Sequence, residues 1–154
     1  MLKFIQKRIL LLCLLIFSLC SFMVWIKPVD ESSGINGKWV GFLWQNQNGL
    51  ADKYIFEMVL EQKGDSVTGS SLIRLIDMTE NYGELELKGT FKKNILKFTE
   101  IKIKQQEILM NAHWCKKKGT LELINKSQQE LKGSWNGCRS DTQPEGEISL
   151  KRLP

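Results

Sequence analysis

Apolar and polar residues alternate with a period of two along most of the chain, the repeat of a half-buried β-strand. Residues 36–44 open the pattern, with Trp39, Gly41 and Leu43 on one face and Val40, Phe42 and Trp44 on the other. Residues 53–63 place Tyr54, Phe56, Met58 and Leu60 together; after a two-residue turn at Gly64-Asp65, residues 66–77 return with Val67, Gly69, Ser71, Ile73 and Leu75 on one side. Met78 to Asn81 turns the chain, and residues 82–91 carry Leu85, Leu87, Gly89 and Phe91 inward against Glu84, Glu86 and Lys88 outward. Beyond the turn at Lys92-Lys93-Asn94, strands are predicted at 95–104 and 108–115, the latter with Met110, Ala112 and Trp114 on one face. Lys116-Lys117-Lys118-Gly119 either breaks that strand or forms its exposed, twisted continuation into 121–124. Turn chemistry at 125–129 is followed by strands at 130–135 and 147–153.

No segment carries a helical period in this region. About eight strands on short connections pair antiparallel in chain order, and such a sheet closes most readily into an up-and-down barrel that leaves no exposed edges. Val67-Thr68-Gly69, Leu87-Lys88-Gly89 and Leu131-Lys132-Gly133 each put a glycine inside a strand, two residues after an inward apolar side chain. Glycine is costly there, about 0.5–1 kcal/mol relative to alanine, so its recurrence predicts sharp strand bending or a bulky neighbour lying across the bare backbone.

The N-terminus departs from this rhythm. Lys3, Lys7 and Arg8 precede an uncharged run of 18 residues, 9–26, closed by Lys27-Pro28. That run is longer than the hydrophobic region of a cleaved signal, roughly 7–15 residues, and as a helix nearly crosses a hydrocarbon layer of about 30 Å. The expected organisation is a signal anchor or signal peptide over 1–27, a polar linker over 28–34 and a β-barrel domain over 35–154. The basic flank places the domain outside the cytoplasm, periplasmic or extracellular. Two other uses of the segment remain open: a lipoprotein whose modified residue is Cys20, although Leu19 is large for that processing site, or a secreted chain cut between Ser18 and Cys20.

Charge changes little. The formal net charge is +5, but without Lys3, Lys7 and Arg8 the chain carries 19 basic against 17 acidic residues. Such a balance does not steer the domain to nucleic acid.

Cys115 and Cys138, the cysteines of the domain, are expected to pair in an oxidising compartment, the alternative being two buried thiols in a cytosolic protein. His113 and Cys115 form a His-x-Cys pair on one strand face, yet zinc needs a second pair and no metal is expected. A solitary histidine without a nucleophile and an orienting acid makes no triad, the acid pairs Glu84/Glu86 and Glu145/Glu147 are expected to face water, and no cofactor loop is visible. The reading is therefore a protein without catalytic activity. Asn125-Lys126-Ser127 fits a glycosylation acceptor, a common pattern.

Gly37-Lys38-Trp39 resembles the Gly-x-Trp of the first strand of lipocalins and related calycin barrels, and Arg152 stands where that family places a basic residue over the tryptophan. Avidin-like barrels, with a similar Trp strand and Gly-rich hairpins, are an equally fair comparison. The other lipocalin sequence blocks and the helix before the last strand are not evident. The resemblance implies that Trp39 closes one end of the barrel with Arg152 stacked on its ring, a cation–π contact of about 0.5–2 kcal/mol.

On this reading Trp39, Tyr54, Phe56, Met58, Phe91, Met110, Trp114 and Trp135 line the interior. Large and small residues are mixed there, which suits either a filled core or a pocket for one small ligand. Outside lie Val40, Phe42, Trp44, Ile55, Val59, Leu72 and Ile76, an apolar surface for a partner or a membrane. The expected function is binding of a small apolar or amphipathic ligand by a membrane-tethered lipocalin-like barrel. The alternative is a non-catalytic interaction module with a filled barrel whose apolar outer patch, at Val40, Phe42 and Trp44, docks a protein.

Overall fold

A computed structural model describes residues 34–46, 49–108, 114–124, 129–138 and 145–154. The apolar run 9–26 with Cys20, the predicted lining residue Met110, His113, and the Asn125-Lys126-Ser127 motif all lie outside the described residues. Residues 34–154 form one compact unit. Its strands are β1 (Gly37–Gln45), β2 (Lys53–Lys63), β3 (Ser66–Leu75), β4 (Tyr82–Lys92), β5 (Ile95–Glu107), β6 (Lys118–Ile124), β7 (Glu130–Asn136) and β8 (Gly146–Arg152). Each pairs antiparallel with the next, and β8 returns to β1 to close the barrel. The architecture is an eight-stranded antiparallel closed barrel, compatible with a lipocalin-like fold.

The alternation read from the sequence sets the faces. Trp39, Leu43, Tyr54, Phe56, Met58, Leu60, Leu85 and Leu87 are buried inside, joined by Leu96, Phe98, Leu121, Leu131, Trp135, Ile148 and Leu150. Turn chemistry sets the register: Gly64 is left-handed in the β2–β3 hairpin, and Lys93 and Asn94 both have positive φ between β4 and β5, as a two-residue type I′ turn requires.

One predicted strand is corrected. Of the predicted strand 108–115 the described residues Ile108, Trp114 and Cys115 belong to no strand; β5 continues to Glu107, and β6 starts at Lys118. The register of β5 against β4 shifts twice, between Glu84 and Leu85 and between Glu86 and Leu87, so that Ile101 becomes an exposed extra residue. Bulges of this kind bend a strand and re-aim the side chains beyond them. Nor is the lysine run simply exposed. Lys117 turns inward and is buried, with its carbonyl accepting from the Glu100 N–H at 2.8 Å.

The strand glycines do something more specific than expected. A Cβ at Gly69, Gly89 or Gly133 would strike the carbonyl oxygen of Val59, Lys97 or Thr120 on the adjacent strand, so these glycines permit tight coiling of backbone on backbone. Bulky side chains cover other glycines: the Phe98 ring lies over Gly119 and the Trp114 indole over Gly83.

Candidate functional site

The predicted lining residues divide among three levels instead of converging on one site. At the end built from short turns, Arg152 Cζ lies 4.9 Å from the centre of the Trp39 ring. The Trp39 indole N–H donates to the Ile35 carbonyl at 2.9 Å, and the Arg152 guanidinium donates to the carbonyl of Gly34. Burial pushes the Arg152 pKa below its ordinary value. Ile35, Trp39 and Arg152 thus close this end, and Phe91, beside the β2–β3 turn through its N–H bond to Asp65, belongs to the same end.

The middle is filled. Trp39, Phe56, Met58, Leu85, Leu121 and Leu131 expose at most 1% of their surface, so no water-sized space touches them. Among these apolar groups sits a polar cluster that alternation did not single out. Glu100 Oε1 accepts from the Ser71 hydroxyl at 2.5 Å, and Oε2 accepts from the Lys117 backbone N–H at 2.7 Å. The Lys117 ammonium lies 2.9 Å from Oε2, donates to the Cys115 carbonyl at 3.2 Å, and stands 5.9 Å from the Phe56 ring centre. Both charged side chains are almost completely buried. The signal for Glu100 was present: Leu96, Phe98 and Glu100 share one period-two series.

Longer connections gather at the other end, the mouth. Tyr54 lies here, its hydroxyl accepting from the Ala51 N–H at 3.0 Å and donating to Gln45 Oε1 at 3.3 Å. Burial raises its phenol pKa above the ordinary 10.0, partly offset by the bond from Ala51. Trp114 meets the Tyr54 ring edge-on, with centroids 5.9 Å apart and planes at 79°. Its other support is bare backbone, since a Cβ on Gly83 would come within 2.6 Å of the indole. Trp114 is 6% exposed, and its indole N–H has no hydrogen-bond partner among the described residues. By contrast the Trp135 indole N–H donates to the Trp44 carbonyl at 2.9 Å. Cys115 and Cys138 form a disulfide, with Cα atoms 5.3 Å apart, that fastens the Trp114 segment to the β7–β8 connection.

The predicted outer residues do face outward. Phe42, Val59 and Ile76 are 38%, 47% and 41% exposed, while Val40, Trp44, Ile55 and Leu72 are half-buried. Phe42 and Trp44 pack 5.9 Å apart, and the Lys53 ammonium sits 3.7 Å above the Phe42 ring. Charge interrupts the apolar strip: Glu57, opposite Val40, is held by Lys38 at 2.7 Å and by Arg74.

Compared with models of known protein families and with curated proteins, the chain matches none of either, so its likeness to lipocalin and avidin-like barrels rests on the closed eight-stranded barrel and the stacking of Arg152 on Trp39.

Proposed function

We propose that this barrel is a non-catalytic binding module of lipocalin type that takes a small apolar or amphipathic molecule at its mouth, in the place where Trp114 rests. The filled middle leaves no room for a deep ligand, which restricts the reading to the level of Tyr54, Leu75 and Trp114. The observation that carries it is the buried Trp114 indole without an acceptor. An unpaired buried N–H costs about 1–3 kcal/mol, and a ligand oxygen accepting from it recovers that cost while the apolar part of the ligand covers the rings. Trp114 also sits outside the strands, so it can shift without breaking the barrel.

The Cys115–Cys138 bridge supports an oxidising location. Together with the apolar run 9–26 it favours a domain tethered to a membrane on its outer side, as an anchored or lipid-modified chain. Titration with a long-chain fatty acid or haem, followed through tryptophan emission, tests the proposal. Binding should quench emission in the parent protein and leave Trp114→Phe nearly silent. No quenching in the parent, together with no lipid retained on mass spectrometry, would overturn it.

A protein partner on the outer face is the second reading, favoured by the exposure of Phe42 and Val59. A photo-cross-linker placed at Phe42 should then trap a protein that one placed at Glu122 does not.

A further inference from the structure

The described residues leave eight large apolar side chains exposed, and five of them, Phe42, Leu50, Val59, Ile76 and Met78, belong to β1, β2, β3 or the connections that border them. Register gathers those of the strands on one outer wall. Phe42 is the partner of Ile55 and Trp44 of Lys53 across β1 and β2, while Leu72 on β3 is the partner of Glu57 on β2. Leu50 and Met78 stand in the connections at the mouth end of the same strands.

Charge on this wall is balanced. Glu57, in its middle, is neutralised by Lys38 at 2.7 Å and by Arg74. At the margins, Lys53 and Lys151 are matched by Asp52, Asp77 and Glu147, so whatever holds the wall is drawn by its apolar side chains. The Lys53 ammonium stands 3.7 Å above the Phe42 ring and 5.4 Å from that of Trp44. A lysine so placed covers aromatic surface while its charged head can stay at a polar boundary.

Two observations favour a lipid bilayer over a second protein as the occupant. The wall of a closed barrel is convex and its apolar side chains are interrupted by charges, which offers a rigid partner little continuous area, whereas a lipid interface moulds itself around single side chains. The second is chain length. Seven residues, 27–33, separate the apolar run 9–26 from Gly34, where the barrel unit begins. They reach at most about 25 Å, less than the roughly 30 Å of a nine-residue strand such as β1. A domain tethered in this way meets the bilayer at an effective concentration on the order of millimolar, enough to occupy a weak apolar contact.

We infer that the outer wall of β1, β2 and β3 rests on the surface of the bilayer that holds residues 9–26, with Phe42, Val59 and Ile76 entering its interfacial layer. The tryptophan and lysine beside Phe42 are the residue types that settle at such a boundary. The inference rests on the tethered reading given above, and it assigns to lipid the face that the second reading gives to a protein.

Full-length protein reconstituted in phosphatidylcholine vesicles tests it. A fluorescent amino acid is placed in turn at Val59, at Glu122 on the opposite wall and at Trp25 within the apolar run, and its quenching by lipid brominated on the acyl chains is read. Position 59 should be quenched and position 122 should not. Replacing Phe42 and Ile76 by serine should reduce the quenching at 59 about twofold or more, with far-ultraviolet circular dichroism establishing that the variant is folded. Equal quenching at 59 and 122 overturns the inference. So does shielding of 59 from aqueous iodide that occurs in native membranes but not in pure lipid, a result that assigns the wall to a protein. The tether is read separately: quenching at 25 without quenching at 59 keeps the anchor and overturns the docking, whereas quenching at 59 without quenching at 25 supports the docking and strikes the anchor.

Discussion

Lys117 Nζ lies 2.9 Å from Glu100 Oε2 in the interior of a barrel filled mainly by aliphatic and aromatic side chains. Desolvating two charges is expensive, and the cost is offset only where geometry and further hydrogen bonds are good, as Ser71 and the Lys117 N–H provide here. The pair also determines the chain path, because it draws Lys117 inward at the point where the chain enters β6.

Removing one partner should therefore be severe. Glu100→Leu or Lys117→Met alone should lose about 3–5 kcal/mol. The double replacement should recover much of that loss, giving a coupling of about 2 kcal/mol or more in urea titrations. Additive losses would show that the two charges do not act as a pair.

Arg152 contributes through its position over Trp39 and its bond to the Gly34 carbonyl. Arg152→Ala should destabilise the barrel by about 2–5 kcal/mol, the sum of a partly desolvated cation–π contact and a charged hydrogen bond. Arg152→Lys should recover only part of it, since an ammonium lacks the planar face that stacks on indole. Thermal unfolding of the two variants checks the order.

The Cys115–Cys138 bridge spans 23 residues. By chain entropy a loop of this size stabilises by about 3 kcal/mol. The double serine variant, or the parent under reducing conditions, should unfold at correspondingly lower denaturant. An unchanged midpoint would mean that the connection is held by other contacts.

Tyr54 gives a pH signature. Below 10.0, the ordinary phenol value, the hydroxyl is neutral in both the folded and unfolded chain and stability is unaffected. Above it the unfolded chain loses the proton first while the folded one retains it, so stability falls as pH rises towards the higher folded value. Tyr54→Phe should remove this alkaline component, readable in unfolding titrations at several pH values.

Gly83 provides the bare surface on which Trp114 rests. Gly83→Val should displace the indole and increase the accessibility of one tryptophan to a soluble quencher. The barrel should remain closed, because the displaced residue lies outside the strands.

The period-two rhythm by itself determined that the chain is a ribbon of antiparallel strands, which residues of β1 to β4 point inward, and which outer residues are apolar. Alternation is a property of each strand alone, so it survives without knowledge of the partners. Trp39 with Arg152 was legible only through the resemblance of Gly37-Lys38-Trp39 and Arg152 to the lipocalin pattern, and Cys115 with Cys138 because the domain holds no other cysteine. Only the tertiary structure decided that the middle is filled, that β5 carries two bulges, that Trp114 leaves the sheet to cover Gly83, and that Glu100 receives Lys117. Each of these depends on register and coiling, which bring together residues far apart in sequence. A buried charge is stable only beside the partner that closure of the barrel delivers, and nothing local to either residue names the other.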